Sequence, residues 1–167
     1  MTEKLIVRQD ALPEDMRVLL RGYPREAWPD HPDFVASIQN WMGAHDMFRK
    51  LGKAVRLNTE GYLDHEIDPD VYAARWSHYG NLLVRNLHGH HGWEDPVFFP
   101  ELSAADSRFD SGLDTLESDH LVLDSVLDRF TTGANRVVKL IQLDEAQARD
   151  EVGDLHSTAS EIEGFLA

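Results

Sequence analysis

The stretch from Leu113 to Ile141 places Leu113, Leu116, His120, Leu123, Leu127, Phe130, Ala134, Val137 and Ile141 three and four residues apart. That spacing returns to one side of a helix at every turn, whereas on a strand it would scatter over both faces. The segment therefore reads as one long amphipathic helix, which must bury its stripe against other elements. Three further stretches repeat the pattern. Phe34, Ile38, Trp41, His45, Phe48 and Val55 give a first helix over about 33–57. Tyr72, Trp76, Tyr79, Leu83, Leu87 and His90 give a second, which starts with Asp68 as cap and Pro69 in the first turn and runs to about Leu102. Asp144 caps a fourth, whose seam is Ala148, Val152, Leu155, Ala159, Ile162 and Leu166.

The segments between are polar. "NTEGYLDHE" (58–66) and "SAADSRFDSG" (103–112) read as links, and Gly133 as a bend in the third helix. Residues 1–32 hold four of the seven prolines and read as an irregular arm with one helical turn around Met16–Leu20. No strand pattern and no internal repeat is visible. The sequence predicts an all-α fold: an antiparallel up-down-up-down four-helix bundle over 33–167 behind an N-terminal arm over 1–32.

Composition narrows the chemistry. The 167 residues suit one domain, with 42% hydrophobic residues to fill its core. A net charge of −14 with no Lys/Arg-rich run argues against nucleic acid or an anionic membrane surface as partner. There is no cysteine, so disulfides, thiolate nucleophiles and sulfur-ligated metals are excluded. Any metal is left to imidazole and carboxylate. The N-terminus lacks the apolar core of a signal peptide and no stretch is long enough to span a bilayer, so a cytoplasmic location is expected.

Three of the nine histidines stand out by position. His45, His90 and His120 each replace an apolar residue in an inward-facing row, one per helix. A buried polar ring is costly unless something satisfies it, and a metal ion would. Glu94, four residues after His90, shares its helix face and can reach the same centre. Such a donor set suits Fe, Mn or Zn.

"AHDMFRKL" (44–51), "HHGWEDPVFFPEL" (90–102) and "SDHLVLDSVLD" (118–128) resemble, in order and placement, three motifs of the hemerythrin-like HHE domains. The resemblance spans about residues 34–130, and "HHxxED…FFP" is its most specific part. It implies a four-helix bundle holding non-haem iron as a diiron centre, with His45, His90, Glu94 and His120 as metal ligands and Glu94 bridging. Asp124 stands where some members carry a second histidine. His91 with Asp95 repeats the His90–Glu94 spacing one step round the helix and is placed outside the site, and His88 is read as solvated or supporting. The family's fourth-helix motif, a histidine followed by acids and a proline, is absent. The chain ends at "EIEGFLA" in mid-pattern, which suggests a helix clipped short of those ligands, with His156 as the available substitute. The implied function is binding of O2, NO or peroxide at the metal for sensing, carriage or detoxification. The alternative is a helical interaction module with a structural metal or none, and the exposed seam of the fourth helix offers a surface for a homodimer.

Overall fold

The computed structural model describes Arg17 and residues 21–166. The helical turn expected around Met16–Leu20 lies almost wholly outside the described residues. Of the arm, Arg25–Asp30 forms a 3-10 turn in which the Trp28 indole N–H donates to the Tyr23 carbonyl at 2.8 Å. Four long helices follow: α1 (Ala36–Leu63), α2 (Pro69–Trp93), α4 (Asp110–Leu143) and α5 (Glu145–Leu166). The short α3 (Phe99–Ala105) continues α2 after a π-helical turn at Glu94–Phe98. No strand occurs among the described residues, and no helix there is long and apolar enough to cross a membrane.

Each helix buries most of the row that its sequence spacing dictates. α1 buries Phe48, Leu51, Val55 and Tyr62, while α5 buries Ala148, Val152, Leu155, Ala159 and Ile162. The core joins these to Trp76, Leu83 and Leu87 of α2 and to Leu123, Leu127, Phe130 and Val137 of α4. Full burial of one such side chain contributes roughly 1.5–3 kcal/mol, so the seams outweigh any single polar contact. Cross-helix contacts set the directions. Trp76 packs on Phe130, and His120 sits beside Asp95, so α2 and α4 run oppositely. Arg129–Glu161 and Arg136–Glu151 pairs do the same for α4 and α5. Arg149 donates to the Tyr62 carbonyl at 2.7 Å while Arg56 pairs with Glu163, so α5 also opposes α1.

Asp68 accepts from the N–H groups of Asp70 and Val71, and Asp144 from that of Gln147, so both expected caps are in place. Two links turn out to be largely helical. "NTEGYLDHE" continues α1 through Leu63, because Asn58 and Thr59 bond back to the carbonyls of Ala54 and Val55. The helix stops where His65 takes φ 60°, which lets Glu66 and Ile67 donate to the Gly61 carbonyl. A Cβ on Gly61 would lie 2.7 Å from Ile67 Cδ1, so a side chain there would force Ile67 to shift. "SAADSRFDSG" also folds, into the end of α3, a 3-10 turn at Ser107–Phe109 and the start of α4. Gly133 leaves α4 unbroken.

Candidate metal centre

The histidines gather where α1 begins, α2 ends and α4 begins. α2 lies between α1 and α4 there, so two of its sides are covered rather than one. At about 100° per residue, Glu94 lies about 40° round from His90 and about 60° from His91 on the other side. Glu94 therefore points between its two neighbours, and it is 1% exposed.

His45 reaches in from α1. Its Nδ1 lies 3.1 Å from the Trp41 carbonyl, which only accepts, so Nδ1 carries the proton and Nε2 offers a lone pair. That Nε2 is 3.4 Å from His90 Nε2, and His90 Nε2 is 3.0 Å from Glu94 Oε1. The Trp41 indole N–H also donates to Glu94 Oε1. His120 comes from α4. Its Nδ1 donates to Asp95 Oδ1 at 2.7 Å, which turns Nε2 toward Glu94 Oε2, 3.6 Å away. The two oxygens of one buried carboxylate thus address histidines from opposite sides.

The sequence reading sets His91 outside the site, and the structure buries it beside the cluster. His91 is 6% exposed and its ring stacks on His120, centroids 3.9 Å apart and planes at 12°. The buried row of α2 runs Trp76, Gly80, Leu83, Leu87, His91 and Glu94 in steps of four and three. Taking the step after Leu87 as three residues instead of four puts the row on His90 and passes over His91. Leaning the row toward α4 buries His91. Asp95 serves as hydrogen-bond partner to His120. Asp124 faces His88 and His91, with Oδ1 at 3.1 and 3.8 Å from their Nδ1 atoms, and joins neither cluster of potential donors. His156 is remote from both. The Gly133–Leu155 contact sets it about 13 residues along α4 from His120, roughly 20 Å.

Two groups of three could each hold a cation. His45, His90 and Glu94 bring one donor atom apiece within 4.8 Å of one another, and so do His91, Glu94 and His120. The electrostatics suit metal donors. Burial lowers His45 below its ordinary value against the opposing hydrogen bond to Trp41. Burial, reinforced by His120, pushes His91 down to about 3. Burial also pushes Glu94 upward, but the hydrogen bonds from His90 and Trp41 outweigh it and keep the carboxyl lower than usual. His45 and His91 are thus neutral and Glu94 anionic near pH 7, as ligation requires. His91 Nδ1, Glu94 Oε2 and Asp124 Oδ1 are buried without a hydrogen-bond partner. Unpaired buried groups of this kind are costly, and a cation between the rings and the carboxylate would satisfy Glu94 Oε2. The residues fit a metal.

A family model described as the hemerythrin HHE cation-binding domain matches residues 36–165. The chain belongs to that family. No curated protein and no solved structure matches it. As a hemerythrin HHE domain, the chain is a cation-binding one, and the helices that carry its motifs are those that carry the His and Glu clusters. The π-helical turn sits in the same place. Phe99 donates to the Glu94 carbonyl five residues back, and Pro96 has no N–H to extend the regular ladder. Pro96 was its one sequence signal.

Proposed function

We propose that this hemerythrin-family chain holds non-haem iron as a dinuclear pair bridged by Glu94, and that it binds O2, NO or peroxide at the metal for sensing, carriage or detoxification. The observation that carries the reading is the buried Glu94, with Oε1 turned to His90 and Oε2 to His120. His45, His90 and His120 supply imidazole nitrogens around that single carboxylate. When bound, iron with an open coordination position supplies direct ligation of a small molecule.

The protein's own part is to position and to shield. The Trp41 carbonyl and Asp95 fix which nitrogen of His45 and of His120 faces the centre. Trp41 holds the Glu94 carboxylate through its indole N–H. Phe48 lies against His90 and Phe99 against His120, which keeps the inner side of the cluster apolar. Anaerobic loading with Fe(II), followed by exposure to O2 or NO, tests the reading. It predicts new near-ultraviolet absorption in the wild type and its loss in His90→Ala and Glu94→Ala. Persistence of the same spectrum in both variants would dismiss the assignment.

A further inference from the structure

The second donor group contains a residue that the family motif does not call for. We propose that His91 is a metal ligand: with His120 and Glu94 it holds a second cation, so that α1, α2 and α4 furnish both positions. The inference rests on the metal-binding reading above and specifies how that site is completed.

Three observations carry it. His91, Glu94 and His120 are all buried, and their donor atoms lie within 4.8 Å of one another. His91 Nδ1 and Glu94 Oε2 have no hydrogen-bond partner although both are buried. A histidine with only a core-filling role would be expected to donate to a carbonyl, as His45 does to Trp41. The third observation is the carboxylate behind each ring. Asp95 takes Nδ1 of His120 at 2.7 Å, and Asp124 Oδ1 stands 3.8 Å from Nδ1 of His91. Ligating histidines are commonly oriented by a carboxylate at the nitrogen that does not bind metal. Asp95 does this for His120, whereas Asp124 stands beside the same nitrogen of His91 without a hydrogen bond to it and lies nearer to His88, at 3.1 Å. On α5, the described helix reaches the level of Gly52, whose Cβ position faces Leu166, about two turns of α1 below His45. Its described residues add no donor to either group.

The absence of cysteine allows a direct test by Co(II) titration of the full chain. The wild type should take up two ions, one per donor group. His91→Ala should lose one of them, with His91→Gln as the replacement if alanine prevents folding. His91→Cys should place the chain's one thiolate on the ion and produce an intense near-ultraviolet thiolate-to-cobalt charge-transfer band. Two ions retained without His91, a single ion in the wild type, or a cobalt-loaded His91→Cys with no such band would overturn the proposal and leave cation binding at His45, His90 and Glu94 standing. No cobalt in the wild type would overturn the metal reading and this proposal together.

Discussion

Trp41→Phe removes one N–H from the carboxylate at the middle of the cluster and changes little else. The phenyl ring keeps the packing against Phe98 and His45, whose centroids lie 5.1 and 5.2 Å from that of the indole. A hydrogen bond to a charged group contributes about 1.5–3 kcal/mol, and the acceptor here is 1% exposed and has one further donor, His90 at 3.0 Å. Because His90 remains, the cost falls short of the full penalty for an orphaned carboxylate. A loss of about 2 kcal/mol is expected in the metal-free protein, equal to roughly 6 °C in Tm for a domain of this size. The assay is urea and thermal unfolding of the metal-free chain, repeated with Trp41→Phe in a Glu94→Gln background. A neutral acceptor gains less from the indole, so the cost should drop by about 1 kcal/mol there. Equal costs in the two backgrounds, or a loss below about 0.5 kcal/mol in the first, would refute the claim that Trp41 holds an ionised Glu94.

Acid should destabilise the metal-free protein. The folded-state value of His91 is depressed to about 3, so below about 6.5 the unfolded chain takes a proton that the folded chain refuses. Stability is lost as pH falls through that window, by at most about 1.4 kcal/mol per unit from this residue. His91→Leu should flatten the slope of urea stability between pH 6.5 and 5, and an unchanged slope would contradict the burial argument. His65→Gly should raise Tm, gaining roughly 0.5–1 kcal/mol by relieving φ 60° at the end of α1, and should leave metal content unaltered; a fall in Tm would count against this cap. Phe130→Ala empties a fully buried position against Trp76 and should cost about 3–5 kcal/mol by chemical denaturation, whereas a loss under 1.5 kcal/mol would mean that the core closes over the gap.

The four seams were readable because burial enforces their spacing, and the caps at Asp68 and Asp144 because a carboxylate before a helix has one main use. Polar composition misled at residues 58–63. Asn58 and Thr59 bond to their own helix, and Thr59 is buried beside Tyr72, so a polar stretch remains helical under tertiary cover. Leu116 and Tyr79 sit on seams by spacing yet are more than one-third exposed, since each lies at the rim of its row. At the centre, the sequence reading named His45, His90, Glu94 and His120, and the fold brings them to one place. His91 was hidden by a step of three taken from Leu87 to His90, where the buried row steps four, and by the assumption that a helix has one covered side. The π-helical turn after Glu94 is a backbone arrangement for which Pro96 was the single cue.

The central claim is that the buried cluster around Glu94 binds cations. Elemental analysis of the full chain after anaerobic Fe(II) loading and desalting tests it most directly. The account predicts two irons per polypeptide, one for each donor group, and their loss in Glu94→Ala. A wild-type chain that emerges without bound metal, or a Glu94→Ala variant that retains as much as the wild type, would contradict it.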